Sequence, residues 1–312
     1  MEDNLIKIGT RGSALALVQT ELVISAIQEK YPGINIEKVI IKTKGDKEPD
    51  KPVSSFGDKR VFSAEIEDTL SNGIIDLAVH SAKDLPSSLK EGLCIPCVLK
   101  REDEREVLVT LAGMYYEDLK GTGIPVIGTG SLRRKIQLRH FFQDIEYKDI
   151  RGNVETRINK LRDGGYDGII LAAAGLKRLG LDKEKDLVYK YFTSDDIVPA
   201  GGQGIIAVET RKEDASGKSF IGEVVKSIND QETFFHFNNE RKIIEALGAG
   251  CNTGFGVISY CYIKDREERL RIRTVISPGG MEGMNHVFNG TGSREDAGRL
   301  IARAIKHGKE GY

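Results

Sequence analysis

Apolar positions fall into short runs separated by longer amphipathic stretches. Residues 5–9 form a run of strand length. Residues 13–30 keep Ala14, Leu17, Val18 and Val23 on one helical face, and Pro32-Gly33 stops the pattern. Residues 34–43 predict a second strand, 64–72 a short helix and 75–80 a third strand. Strands alternating with helices imply βαβ units and a mainly parallel sheet.

The pattern then restarts, with a strand at 126–128, a helix at 132–140 and a strand at 147–150. A helix at 154–163 and a strand at 168–173 follow. The change-over falls in the charge-dense stretch 100–106. After Pro199-Ala200-Gly201-Gly202, the apolar run 205–209 can return to the first sheet. From about Ile221 the character changes. A helix containing 239–247 leads to a Gly-rich turn, two alternating strands (256–264, 270–277) and a helix at 295–307. The expected fold is α/β: two α/β domains plus a smaller C-terminal α+β domain.

Composition narrows the class of function. The 312 residues have 39% hydrophobic and 30% charged content, enough for a sizeable core without staples. Their net charge of −1 gives no global bias toward nucleic acid or anionic membrane. No run approaches the ~18 apolar residues of a membrane span. The acidic start, Met1-Glu2-Asp3-Asn4, lacks the features of a secretory signal, so the expected location is cytoplasmic. Four cysteines in a chain of this length are no disulfide framework. Cys94 and Cys97 form a CxxC, but Pro96 lies inside it, the flanks read as strand and no second CxxC follows. They are read as structural thiols, and no metal site is expected.

Candidate chemistry gathers in a few segments. Gly9-Thr10-Arg11-Gly12-Ser13 and Gly128-Thr129-Gly130-Ser131-Leu132-Arg133-Arg134 both join strand to helix. A helix start offers free N–H groups and a positive dipole end to an anion. Arg11 can take a carboxylate in bidentate fashion, or the turn can simply be a capped one with a solvated arginine. Arg151 and Arg157 flank another helix start, and Arg178 follows a further strand. Strand C-terminal ends face the ligand crevice of an open α/β sheet, so six arginines at such places favour a polyanionic ligand. His80-Ser81-Ala82-Lys83-Asp84 holds Ser, His and Asp too close in sequence for a hydrolase triad. It reads either as a carboxylate in a positive site or as a salt-bridged loop. Cys251, flanked by Gly248, Gly250 and Gly254, is either an exposed, modifiable thiol or an incidental one.

Together these strings resemble the porphobilinogen deaminase (hydroxymethylbilane synthase) family. To those above add Asp76-Leu77-Ala78-Val79 before His80, Arg151-Gly152-Asn153-Val154-Glu155-Thr156-Arg157 and Leu171-Ala172-Ala173-Ala174-Gly175-Leu176-Lys177-Arg178-Leu179. Pro199-Ala200-Gly201-Gly202-Gln203-Gly204, Asn239-Glu240-Arg241 and Gly248-Ala249-Gly250-Cys251 complete the set, in the family's order from residue 8 to about 256.

The resemblance implies two domains like the halves of a type II periplasmic binding protein and a third carrying the cofactor cysteine. On that basis the domains are 1–101 with 203–221, then 102–202, then 222–312. It also implies a monomeric transferase. Such an enzyme joins four porphobilinogen molecules head to tail, losing ammonia each time, and releases linear hydroxymethylbilane. A dipyrromethane cofactor would be held as a thioether on Cys251. Asp84 would be the acid–base carboxylate. Ser81, Lys83, Asp84, Thr129, Ser131, Arg133, Arg134 and Arg157 would bind the cofactor. Arg11, Ser13, Lys59, Phe62, Arg151, Arg178 and Gln203 would bind substrate. The acetate and propionate groups of each pyrrole make the growing chain a polyanion, which suits the arginines.

The chain departs from the family's pattern at Ser63-Ala64-Glu65, where a lysine usually precedes the glutamate, and at Ala82, usually Met. It departs again at Ala249-Gly250-Cys251-Asn252, where Gly-Gly-Cys followed by a proline is usual. The alternative reading is a non-catalytic small-anion binding protein of the same two-lobed fold. It leaves Asp84 beside Lys83, the cysteine loop and a third domain without a purpose. A cysteine or serine hydrolase lacks an oriented base: His80 and His236 are available, but nothing in the sequence aims them.

Overall fold

The first strand, β1 (Leu5–Thr10), enters the first helix, α1 (Ala14–Lys30), through a capped turn. Ser13 is the N-cap, in extended backbone, and its Oγ accepts from the Ala16 amide at 3.3 Å. The structure is a computed structural model. It describes residues 5–47, 63–119, 123–142, 144–216, 218–249, 253–277, 280–281 and 285–310.

After α1 come β2 (Asn35–Ile40), α2 (Lys44–Lys47), α3 (Ala64–Ser71), β3 (Leu77–Ser81) and β4 (Leu93–Val98). A 3-10 turn, Ala82–Asp84, leaves β3. Next are β5 (Glu106–Leu111), α4 (Tyr116–Leu119), β6 (Val126–Gly128), α5 (Leu132–Leu138), β7 (Glu146–Lys148) and α6 (Val154–Arg162). Then come β8 (Gly168–Ala172), α7 (Ala173–Arg178), β9 (Leu187–Phe192) and β10 (Ile206–Arg211). The chain ends with α8 (Phe220–Ser227), α9 (Gln231–Leu247), β11 (Gly256–Lys264), β12 (Glu267–Ile276), β13 (His286–Gly292) and α10 (Ala297–Glu310).

Two compact units emerge. Unit 1 is Met1–Glu102 with Gly204–Phe235, and unit 2 is Asp103–Gln203 with His236–Tyr312. Among the described residues, unit 1 contains a five-stranded sheet in the order β2-β1-β3-β10-β4. Unit 2 contains a five-stranded sheet, β7-β6-β8-β5-β9, and a three-stranded one, β11-β12-β13.

The two five-stranded sheets are mixed rather than mainly parallel, and the three-stranded one is antiparallel throughout. In unit 1, β2, β1 and β3 are parallel, whereas β10 runs antiparallel to both β3 and β4. In unit 2, β6 is parallel to β7 and β8, and β5 is antiparallel to β8 and β9. Apolar runs reveal that a strand exists but not its direction, so the crossing strand of each sheet was not legible. The run at 205–209 does return to the first sheet, as β10. The apolar runs did not call for β5, β9 or β13.

Alternation of side chains sets the two faces of each sheet. In unit 1, Ile6, Ile8, Leu77, Val79, Ile206 and Val208 pack with Val23 and Ile27 of α1 and Val224 and Val225 of α8. On the other face, Ala78 and Leu93 meet Ile66 and Leu70 of α3. In unit 2, Val107, Val109, Ile169 and Leu171 pack with Ile158 and Leu161 of α6. Val198, Ile258 and Val275 join the small sheet to the rest of that unit. Among the described residues, no helix is long and apolar enough to cross a membrane.

Candidate active site

In unit 1, two strand-to-helix connections place their polar residues around one pocket. Arg11, Ser13, Gln19, Ser63, His80, Ser81 and Asp84 line it. Asp84 ends the 3-10 turn and is exposed, which suits a group that meets a ligand. Ser81, at the end of β3, faces Gln19 of α1: its Oγ is 2.9 Å from Nε2 and 3.0 Å from Oε1. Gln19 is buried, so this pairing fixes the Ser81 hydroxyl. Lys83 is half-buried on the same turn.

Arg11 leaves β1 and meets a carboxylate the sequence had not suggested. Its Nη2 lies 2.5 Å from Asp46 Oδ1, and its Nε lies 3.2 and 3.3 Å from the two oxygens. Asp46 also accepts from the Thr43 amide at 3.1 Å and the Thr43 hydroxyl at 2.8 Å. Burial pushes the Asp46 carboxyl up, but the Arg11 and Thr43 hydrogen bonds and the Arg11 charge outweigh it. The net effect holds it below the ordinary carboxylate range.

In unit 2, Thr129 is buried after β6, and its Oγ1 accepts from the Ser131 amide at 3.2 Å. Ser131 is the N-cap of α5 by backbone, yet its side chain makes no cap hydrogen bond. Arg133 and Arg134 do not lie open at this helix start. Both are buried and both are directed at Glu106, itself wholly buried. Arg133 Nη2 is 2.5 Å from Glu106 Oε1, and its Nη1 donates to the Val198 carbonyl at 2.8 Å. Arg134 Nη2 is 2.8 Å from Glu106 Oε2, and its Nη1 donates to the Ile170 carbonyl at 2.9 Å. Gln203 joins them, donating to the Glu104 carbonyl at 2.7 Å and to Glu106 Oε1 at 3.2 Å. Burial pushes the Arg133 guanidinium down, and Glu106 opposes that shift.

The other arginines are half-buried at strand or helix ends. Arg157, on α6, donates Nε to the Gly152 carbonyl at 2.8 Å. Asn153 caps that helix, accepting from the Thr156 amide at 2.8 Å. Arg151 precedes the cap, and Arg178 closes α7. Lys59, Phe62 and Cys251 lie outside the described residues. The described chain reaches Ala249 after α9 and resumes at Thr253. Gly256, at the start of β11, then runs so close to the earlier part of unit 2 that a Cβ would lie 2.8 Å from the Val198 carbonyl oxygen and 3.0 Å from Arg133 Cδ.

Cys94 and Cys97 carry free thiols on β4. Burial pushes Cys97 up to about 12 and raises Cys94 as well. Thiols held protonated at neutral pH are poor nucleophiles and poor ligands.

Comparison with known proteins settles the lineage. Residues 6–219 match the family model described as porphobilinogen deaminase, dipyromethane cofactor binding domain. The chain belongs to the porphobilinogen deaminase family. It is 41% identical over 305 residues to the porphobilinogen deaminase of Syntrophomonas wolfei, covering 96% of this chain and 94% of that one. It is 38% identical over 307 residues to that of Clostridioides difficile, covering 98% and 99%. Among solved structures, the periplasmic VFT2 domain of Bordetella pertussis BvgS covers 80% of this chain at 14% identity and a TM-score of 0.43, too slight to carry an argument. The activity of a porphobilinogen deaminase is that of a transferase: it joins porphobilinogen units with loss of ammonia on a dipyrromethane cofactor.

Four residues of this arrangement escaped the sequence reading. Glu106 falls in the charge-dense change-over stretch 100–106, although Val107-Leu108-Val109 directly after it marks a strand beginning there. Asp46 and Gln19 gave no local signal. Glu209 sat at the end of an apolar run and read as its edge.

Proposed function

We propose that Asp84 is the acid–base group of porphobilinogen polymerisation in this chain. The observation that carries this is the exposed Asp84 carboxyl sharing one pocket with Arg11, Ser13 and Ser81. Each condensation releases ammonia from the aminomethyl carbon and removes an α-proton from the pyrrole attacked. A carboxyl group that gives its proton to the leaving amine becomes the carboxylate that takes the α-proton, so the cycle balances in protons. The same carboxylate stabilises the cationic carbon left by ammonia. Arg11, Ser13 and Lys83 hold substrate or cofactor carboxylates around it, with Ser81 held in place by Gln19.

Dipyrromethane, when bound, supplies the free pyrrole α-carbon at which the chain is extended. The donor set suits a cofactor bearing carboxylates. Arg134 Nε is buried without a hydrogen-bond partner among the described residues, and the Ser131 hydroxyl makes no cap bond. Thr129, Ser131, Arg133, Arg134 and Arg157 would hold it, with Cys251 as the covalent tether. Arg151, Arg178, Gln203, Lys59 and Phe62 are assigned to substrate. The three-domain division, a monomeric state, a cytoplasmic location and the lack of a nucleic-acid partner belong to the same reading.

Asp84→Asn tests it. The variant is expected to fold, and to lose turnover by about 100-fold or more. Turnover near that of the parent would reassign the acid–base role. Intact mass of the purified protein should exceed the chain mass by two pyrrole units, and Cys251→Ser should remove the excess.

A further inference from the structure

β3 is pinned on both faces just before it delivers Asp84. On one face Ser81 meets Gln19 of α1. On the other, His80 Nε2 lies 2.9 Å from Glu209 Oε2 on β10. The register explains the contact: Ala207 pairs with His80 and Glu209 with Ala78, so both side chains leave the same face of neighbouring strands. His80 is 8% exposed and Glu209 is wholly buried.

This pair is not what the core demands. Its neighbours on the same sheet face, Ala78, Ile66 and Leu70, form an ordinary apolar layer. A buried polar pair there is often no better for stability than apolar side chains of the same size. Glu209 Oε1 is also buried with no hydrogen-bond partner among the described residues. A half-satisfied buried carboxyl group calls for a reason beyond packing. The ladder is irregular at the same place: Val208 pairs with Cys97 but Thr210 with Cys94, so β4 bulges opposite Glu209. Bulges of this kind re-aim side chains beside functional sites.

His80 also lines the pocket that holds Asp84. Two backbone bonds set the turn that follows. Ala82 N donates to the Ile205 carbonyl at 3.0 Å, and Leu85 N closes the turn on the Ala82 carbonyl at 3.3 Å. Asp84 thus follows β3 by three residues, on a turn whose first amide is held by the strand's own neighbour.

We propose that His80 and Glu209 are positioning residues: Glu209 fixes the His80 ring across the β3–β10 ladder, and the ring sets the course of the turn that presents Asp84. This rests on the reading of Asp84 as the acid–base group. Neither residue transfers a proton to substrate.

Steady-state kinetics on His80→Leu, His80→Gln, Glu209→Leu and Glu209→Gln test the proposal. In the Leu variants kcat should fall about 10- to 100-fold while KM stays within about twofold, because misaimed chemistry costs rate rather than binding. The covalent cofactor mass should remain. The Gln variants, which can still bridge the two strands, should recover most of kcat. A kcat within twofold of the parent in His80→Leu overturns the proposal, as does a change confined to KM. So does a His80→Gln variant as slow as His80→Leu. If His80→Leu does not fold, His80→Asn replaces it: Asn is too short to reach Glu209, so it should be slower than Gln, and equal rates overturn the proposal. Asp84→Asn run in parallel separates the two readings. Retained turnover there removes the acid–base assignment, whereas an inactive Asp84→Asn with unaffected His80 variants removes only the positioning pair.

Discussion

The Glu106 carboxylate lies 2.5 Å from Arg133 Nη2, and neither side chain is open to solvent. With Arg134 on its other oxygen, Glu106 is shared by two buried cations at the start of a strand. Glu106→Gln leaves both guanidiniums short of their counter-charge. Removing one partner from a buried pair costs about 3–5 kcal/mol. Urea unfolding should show a loss of that size, and the intact mass should show less cofactor if folding of unit 2 limits loading. A loss under about 1 kcal/mol would mean that the arginines find other acceptors.

Asp46 should govern how Arg11 meets substrate. Asp46→Asn keeps the shape but removes the charge that holds the guanidinium. The expected outcome is a KM for porphobilinogen raised by roughly 3- to 10-fold with kcat little changed, as for one charge-assisted hydrogen bond.

The Asp46 carboxyl is also held below the ordinary carboxylate range, which fixes the sign of its pH dependence. A carboxyl lower in the folded than in the unfolded state adds stability above the unfolded value. That contribution disappears as pH falls through the lower, folded value. Parent and Asp46→Asn should therefore differ in stability at neutral pH and converge in acid below the ordinary carboxylate range. A difference that widened in acid would contradict this.

Cys97 should be inert. With a thiol pushed up to about 12, only about one in 10⁴ is ionised at pH 8. Iodoacetamide at that pH should leave Cys97 unlabelled in the folded protein and label it after unfolding. Cys94, raised less, should react slowly. Rapid double labelling, or a Cys94–Cys97 disulfide under mild oxidation, would restore a redox role to the CxxC.

Gly256 is fixed by close approach. Its missing Cβ leaves room for the Val198 and Pro199 carbonyl oxygens, which a methyl group would meet at 2.8 and 2.9 Å. Gly256→Ala should destabilise by about 1–3 kcal/mol, read from thermal or urea unfolding. No loss would mean that the start of β11 shifts freely.

Much of the fold was legible because its helices and inner strands follow simple periods. The helix after Ser13, the strand at 126–128 and the return of 205–209 to the first sheet are all present. Direction was not legible, since β10 and β5 look like any apolar run. β5 was hidden further by the charges before it, because Glu106 is buried by partners 27 and 28 positions along, Arg133 and Arg134. The candidate site was half legible. Arg11, Ser13, Ser81 and Asp84 stood out as polar residues between regular elements, and they do share a pocket. Their supports, Asp46, Gln19 and Glu209, lie far away in sequence and are recognisable only once the strands are paired.

The place of β10 in its sheet bears on how the chain is made. It sits between β3 and β4, which are 77–98 in sequence, but it is not reached until residue 206. A nascent chain carrying only the first 102 residues would have two strands with bare edges where their shared neighbour belongs. Unit 1 must then wait on the ribosome for about 100 further residues, 5–20 s of synthesis at ordinary rates of roughly 5–20 residues per second. All five strands of the β7-β6-β8-β5-β9 sheet lie within 106–192, so they leave the ribosome in that interval, and that sheet has its full set of strands before the first one does.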